Sequence, residues 1–382
     1  MNRVGLLILA AASLSAWEEK LTREGAYWVQ TVTGSEAVSP GGRLRITTRG
    51  MVAVKGGEGA QVRYTFAKKV RARSEKEARA LLGGFVVQSH RAGNLTTVGV
   101  QHASESADSA EMQVEAPRGV REVFVETHGG AVEAQDLAGA LQAHTGGGRI
   151  RLDRIGGSVF ARTAGGEIHL GTMGGAVKCV SAGGPIRAEA IRGAARFETA
   201  GGDIVVREVG GPVEAMTAGG GIQIGKAGST VNVNTVGGAI EIGSAAGMVT
   251  AESEGGPIQV SGAQGVHCET SGGAIRLTNV TGRLRASTTV GNVIARLMGA
   301  AEAGSFLSTG AGDITLFVPS NLRITIQAQN EAPYSARRIV SDFPVVLRRD
   351  GAFLIAEGSI NGGGPVLRLA GAGGTITIKR IE

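Results

Sequence analysis

Aromatic side chains are scarce in this 382-residue chain: they make up 4% of it, with two Trp and three Tyr. Between positions 129 and 318 only Phe160, Phe197, Phe306 and Phe317 occur. Stacking platforms for bases need such rings, and a cleft that grips sugars wants them too, so neither is expected there. Proline is held to nine residues and no Gly-X-Y triplet runs through the chain, which excludes collagen. Two cysteines cannot build a disulfide framework. No run of five like charges occurs and the net charge is only +6, so a nucleic-acid partner is not expected.

Long apolar runs are missing too. The nearest is Val4–Ala12, well short of the roughly 20 residues that cross a bilayer as a helix. With Arg3 before it and Ser13-Leu14-Ser15-Ala16 after it, the stretch reads as a signal peptide over residues 1–16. The mature chain is then expected to be secreted, periplasmic or at the cell surface, with no integral membrane span.

Glycine is what the chain has in excess, at 63 residues, more than twice the roughly 7% share of an average protein. Doublets of small residues begin at Gly129, Gly147, Gly165, Gly183, Gly201, Gly219, Gly237 and Gly255, every eighteen residues, and then at Gly272, Gly291 and Ala311. Three residues after each start stands an aliphatic, from Val132 and Ile150 through Ile275 and Ile294 to Ile314. Such a period marks a solenoid, where a repeat buries its apolar face only by stacking on its neighbours. The fold expected is all-β: a parallel β-helix or β-solenoid of about ten 18-residue coils.

Glycines midway between the doublets, such as Gly156-Gly157 and Gly174-Gly175, split each coil into two halves. Alternation turns every second residue of a half inward. One half places a large second residue (Leu152, Leu170, Val206, Ile224) and the other a small one (Ala161, Cys179, Ala215, Ala251). Ala188 and Phe197 reverse the two sizes within one coil, which predicts columns that face each other across a narrow core. Two short sheets back to back are the simplest closed coil, with a third short side left open as an alternative. Thr145, Thr163, Ser181, Thr199, Thr217, Thr235 and Ser253 share one register and are expected to form an inward ladder of hydroxyls. Cys179 and Cys268 share another, five coils apart, roughly 24 Å at the spacing of strands and beyond the reach of a disulfide. Two free, buried thiols are expected.

Residues 17–115 lack the doublet. Leu44–Thr48, Gln61–Phe66 and Thr97–Val100 read as strands, and Ser74 with Glu77 caps a helix over Ala78–Leu82. This β-rich region with one short helix is expected to cover the open first edge of the coils. The regular solenoid is expected over 116–318. Past Phe317 the period lapses through Pro319, Asn321 and Ala332-Pro333, and Phe343–Leu347 reads as a strand. Arg337, Arg338, Arg348 and Arg349 form a basic cluster, and Asn361–Ile378 reads as a last coil, so 319–382 is expected to close the stack.

The outward columns keep no single chemistry: Arg151, His169, Arg187 and Val205 on one half, and Phe160, Lys178, Arg196 and Glu214 on the other. A periodic ligand would favour a repeated side chain. Nine-residue Gly-rich units suggest a calcium β-roll, but that needs Asp at the sixth position, where Leu170, Cys179, Ala188 and Val206 stand. His128, His144 and His169 fall on different columns, so no metal triad is read. Asp203 with Glu214, and Glu252 with Glu269, are the acid pairs that could approach on the surface. Isolated carboxylates are the ordinary explanation. No catalytic, cofactor-binding or metal-ligating residue is assigned, no cofactor is called for, and ligand-binding residues stay unknown.

The units Thr163-Ala164-Gly165-Gly166-Glu167-Ile168 and Thr199-Ala200-Gly201-Gly202-Asp203-Ile204, with Asn361-Gly362-Gly363-Gly364-Pro365, resemble the DUF4097 family of bacterial proteins described as adhesins. Gly50–Val54 and the Ser74–Leu82 helix are similar to that family's entry region, and the likeness runs over about residues 40–382. It implies a β-solenoid at the envelope that acts in adhesion or envelope-stress signalling, with no catalytic residues to carry over. The function expected is therefore a non-enzymatic, exported adhesin or scaffold that binds a cell-envelope glycan or surface protein; a spacer in a surface layer is a further option. The alternative is a carbohydrate-active β-helix enzyme, a lyase or hydrolase. Its site would lie at residues 296–312, where Arg296 breaks the inward column and Gly304-Ser305-Phe306 is inserted.

Overall fold

The computed structural model describes residues 18–83, 85–102, 109–331 and 339–381. The signal segment 1–16, along with Ala332-Pro333, Arg337 and Arg338, lies outside them. The chain divides into two compact units, Met1–Gly139 and Ala140–Glu382.

The second unit is a stack of parallel coils, and each coil contributes one strand to each of two ladders. The first ladder runs through Ile150–Ile155, Ile168–Met173, Ile186–Ile191, Ile204–Val209, Ile222–Ala227 and Ile240–Ala245. The second runs through Ala140–Thr145, Val159–Thr163, Val177–Ser181, Ala195–Thr199, Val213–Thr217, Val231–Thr235 and Val249–Ser253. Partners within a ladder stand eighteen residues apart, as in Ile168↔Ile186 and Val177↔Ala195. The all-β solenoid expected from the period is the fold found.

The interior holds three apolar positions per half-turn of the first ladder rather than two. Ile150, Leu152 and Ile155 are all buried, with Asp153 and Arg154 turned out between the last two. Arg154 sits at φ 50°, and its counterpart Asn279 at 51°. Thr172, Ala190 and Glu208 hold the same place without a left-handed φ, so the inward turn of the third side chain does not depend on it. Met173, Ile191 and Val209 continue that third column, fully buried. Phe197 is fully buried between Cys179 and Ala215 in its ladder, and Ala188 lies between Leu170 and Val206 in the other. Both cysteines are free and buried, five coils apart in one column. Burial raises both thiol pKa values: Cys179 far above the ordinary thiol range, Cys268 up to about 12.

The two glycines of a doublet do different work. A Cβ at Gly165 or Gly183 would meet nothing within 4 Å. At Gly166, Gly184, Gly220 or Gly256 it would fall inside the backbone of the coil before. The second glycine is thus required by the close approach of successive corners. Beside it runs the hydroxyl ladder. Thr163 Oγ1 donates to Gly148 O at 2.9 Å and accepts from its own Gly166 N at 3.1 Å. Thr217 repeats this with Gly202 O and Gly220 N at 3.0 and 3.2 Å, and Thr235 with Gly220 O and Gly238 N at 2.8 and 3.2 Å. Both capacities of each buried hydroxyl are used, which removes the cost of burying it.

Late in the stack one sequence assignment changes. Val293, not Ile294, pairs with Ile275 and Ile314 and is buried, while Ile294 is half-exposed. The cause is the corner: Gly291 occupies the second-glycine place against Gly273, leaving Val290 in the first. The coil from Gly273 to Gly291 therefore keeps eighteen residues, and all the extra length falls in the twenty-one from Gly291 to Gly312.

The closing coils are exchanged relative to chain order. Ser305–Ala311 pairs not with the next strand in sequence but with Val366–Gly371, and Ile314–Pro319 pairs with Ile376–Ile381. Ile324–Glu331 then stacks on the far side of Val366–Gly371, and Ile339–Ser341 on Ile376–Ile381. Phe353–Ile360 runs antiparallel along Ile324–Glu331, with Val346–Asp350 paired outside it. The strand expected at Phe343–Leu347 begins at Val346. Pro344 lacks an amide hydrogen, and Ser341 Oγ holds the Phe343 backbone in a turn.

In the first unit, Leu44–Thr48, Gln61–Phe66 and Thr97–Val100 fall within the strands Arg43–Thr48, Gln61–Arg71 and Leu95–His102. Arg43–Thr48 and Met51–Gly57 already follow the coil pattern, with Thr48↔Thr127 and Val52↔Val132 in register. Thr127 Oγ1 donates to Gly50 O at 2.8 Å, the ladder bond again. The helix Glu75–Leu82 is capped by Ser74 Oγ on Glu77 N, while Glu77 reaches back to Arg73 N. Its last carbonyl, on Leu82, accepts from the buried Lys68 Nζ at 3.1 Å, and Phe85 O accepts from the same ammonium at 2.9 Å. A cation at the helix C-terminus complements the dipole there.

Candidate interaction surface

Every inward polar group of the regular coils is bonded to backbone, so chemistry must come from the outward columns. The outer face of the second ladder carries two of these, filled by alternate residues of each strand. Strand by strand they read Phe160 and Arg162, Lys178 and Val180, Arg196 and Glu198, Glu214 and Met216, Asn232 and Asn234, Thr250 and Glu252, His267 and Glu269.

Their charges segregate along the stack. Lys178 Nζ sits 5.9 Å from the Phe160 ring centre, and His144 meets that ring edge-on at 5.2 Å. Arg162 is exposed beside them. Next, Arg196 bonds Glu198 and Glu214, both at 2.6 Å. The Glu198 hydrogen bond, and then Glu214, hold its guanidinium pKa above the ordinary value. Farther on, Glu252 and Glu269 are neighbours in register. Asn234 donates to Glu252 at 3.1 Å, and His267 Nε2 lies 2.8 Å from Glu269. At the middle and margins of the face stand Met216, Val236 and Met248, exposed by 49%, 44% and 42%.

The sequence candidates sort cleanly. Asp203 and Glu214 are not brought together: Asp203 Oδ1 accepts from Gly221 N at 2.8 Å, and Glu214 is tied to Arg196. Glu252 and Glu269 do come together, on an open and exposed strand face. His144 and His169 lie on different ladders, and among the described residues no three His, Cys, Asp or Glu converge on a metal position. Arg348 of the basic cluster is paired with Asp350 and Glu357.

The irregular coil differs from its sequence reading. Arg296 does not break the inward column, for it is exposed and in register with Phe317, while Ala295 and Leu297 fill the interior. The extra residues bulge at the corner and are tied off by Ser305, whose buried Oγ donates to Glu302 O at 2.7 Å and accepts from Leu284 N at 3.2 Å. Of the described acids nearby, Asp313 Oδ1 accepts from Thr375 N at 2.7 Å, and Glu302 lies over Gly282. Acid catalysis of glycoside cleavage ordinarily needs two carboxyl groups flanking one bond. The third inward column and the exposed Met216, Val236 and Met248 escaped the sequence reading; the apolar residue five places beyond Ile150, Ile168 and Ile186 was the available signal for the column.

No family model and no curated protein matches the chain. Among solved structures, a candidate cell-adhesion protein from Clostridium sporogenes aligns over 91% of this chain and 99% of its own, at 11% identity and a TM-score of 0.17. A candidate adhesin from Bacteroides fragilis aligns over 92% and 97%, at 12% identity and a TM-score of 0.27. A candidate lipid-binding protein from Parabacteroides distasonis aligns over 92% and 97%, at 11% identity and a TM-score of 0.21. At these values the likenesses carry no functional argument to this chain.

Proposed function

We propose that the chain is an exported, non-enzymatic β-solenoid, an adhesin or envelope scaffold that holds a surface glycan or protein against the outer face of its second ladder. The observation that supports this most is the division of labour between inside and outside. Inward polar groups are bonded to backbone, whereas Phe160, Arg162, Lys178 and Met216 project together from a stack of strands. Parallel strands about 4.8 Å apart hold such side chains at fixed spacing, so little order has to be created on binding.

The test incubates purified protein with a panel of envelope polysaccharides and surface proteins, reading bound and cleaved material together. Retention without new chain ends, weakened by Arg162→Glu or Lys178→Glu, is the expected result. New reducing or unsaturated ends would overturn it in favour of a carbohydrate-active enzyme.

A further inference from the structure

The second-ladder face is complementary to itself when turned end over end. Take Val213–Thr217, the strand of Met216, as the centre. Three strands before it stands Val159–Thr163 with Arg162, and three strands after it the strand of Glu269. Two strands before it stands Lys178, and two after it Glu252. Arg162 and Lys178 have no carboxylate partner among the described residues, and Glu252 and Glu269 face only Asn234 and His267. Between them Arg196 is shared by Glu198 and Glu214, so the centre of the face carries one net negative charge while its two ends carry opposite signs.

Resting on the reading of this face as the contact surface, we propose that its partner is a second copy of the chain, docked with its coil axis reversed about a two-fold axis at Met216. That operation sets Arg162 against Glu269 of the other copy and Lys178 beside Glu252 of the other copy, and each contact occurs twice, as a closed isologous interface requires. Met216 then meets its own equivalent at the axis, and Val236 and Met248 lose water at the margins. The strand spacing is common to both copies, so one match in register carries the others with it. A polyanion would satisfy only the Arg162 end of the face and a polycation only the Glu269 end.

Seven strands at roughly 4.8 Å and about 17 Å of strand length cover roughly 500 Å² per copy. That sits at the low end of specific interfaces. The dimer is therefore weak, with charge steering its association and salt opposing it.

Sedimentation velocity across a range of protein concentrations tests this. A dimer is expected in 25 mM NaCl, with its Kd raised at least tenfold in 500 mM NaCl. Arg162→Glu or Glu269→Arg alone raises Kd at least tenfold at low salt, and the two together restore it. Mild oxidation of Met216→Cys gives a disulfide-linked dimer, and Lys226→Cys on the first ladder does not. Circular dichroism checks that each variant keeps its strand content. A chain that stays monomeric at every concentration and gives no Met216→Cys cross-link overturns the self-docking, as does a dimer indifferent to the charge swaps. A monomer that still retains a polysaccharide or protein on this face sinks only the self-docking. A swap-sensitive dimer that retains neither supports self-docking and counts against the adhesive role.

Discussion

Asn330 Nδ2 donates to Gly374 O at 2.7 Å, the bond that Thr163 makes to Gly148 one coil after another in the regular stack. Asn330 is in register with Gly371, where a hydroxyl would be expected, and a Cβ on Gly371 would meet Asn330 Oδ1 at 2.8 Å. The longer amide thus spans the place of a missing threonine, and the missing threonine makes room for the amide. Gly371→Thr alone should lower the thermal midpoint by several degrees, as a change of about 1–3 kcal/mol would. Combined with Asn330→Thr it should recover most of the loss, read by differential scanning calorimetry.

The two glycines of a doublet should respond oppositely to alanine. Gly166→Ala forces a methyl into the Gly148 backbone and should destabilise by at least about 2 kcal/mol. Gly165→Ala adds a methyl to open space and should be neutral or stabilising by up to about 1 kcal/mol. Urea unfolding of the pair would separate them; equal effects would contradict the corner geometry.

Thr217→Val keeps the shape and removes the hydroxyl between Gly202 O and Gly220 N. Two buried backbone groups lose a partner, at about 1–3 kcal/mol. Thr217→Ser should cost much less, since Ser181 and Ser253 already serve the ladder. Amide exchange at Gly220 should quicken in the valine variant alone.

Both thiols should resist a thiol reagent at pH 8 in the folded protein and react after unfolding. Their raised pKa values also fix a pH dependence. In the unfolded chain each loses its proton near the ordinary value of 9.0, whereas folded Cys268 keeps it to about 12. Below pH 9 nothing changes. Above it the unfolded state binds fewer protons, so stability falls with pH by up to about 1.4 kcal/mol per unit for each thiol. A Cys179→Ala/Cys268→Ala variant should lose this part of the alkaline slope.

Phe197→Ala should cost about 3–5 kcal/mol through the cavity it leaves between Cys179 and Ala215. Adding Ala188→Leu should return part of that, if the two columns share volume. Chemical denaturation of the two variants decides it, and no recovery would mean that they do not.

How much of this was legible in the sequence depends on the range of the interaction. The period, the inward aliphatics, the hydroxyl ladder and the separated cysteines follow from alternation and stacking between neighbours one coil apart. The third inward column was not legible from strict alternation, because two outward residues in succession, such as Asp153 and Arg154, precede it. Val293 was misplaced by one because Val290 took a position usually held by glycine. The link from Thr48 to Thr127 and the exchange of closing coils join segments distant in sequence, where periodicity is silent. The interaction surface was least legible: Arg162, Glu252, Glu269 and Met216 are unremarkable singly, and their segregation shows only once the columns are laid side by side.

The exchanged closing coils bear on when the stack can be finished. From residue 140 on, the coils can assemble in chain order, each new one templated by the last, as far as Pro319. There the order breaks. Residues 324–331 have no seat until 366–371 arrive, because that later strand lies between them and Ser305–Ala311. A chain released into a new compartment amino end first would hold Ile324, Ile326 and Ala328 unhoused until residues 366–371 appeared. The hairpin of 346–360, passed on the way, would wait with them, so the closing of the stack is a lock that only residues 366–381 can turn.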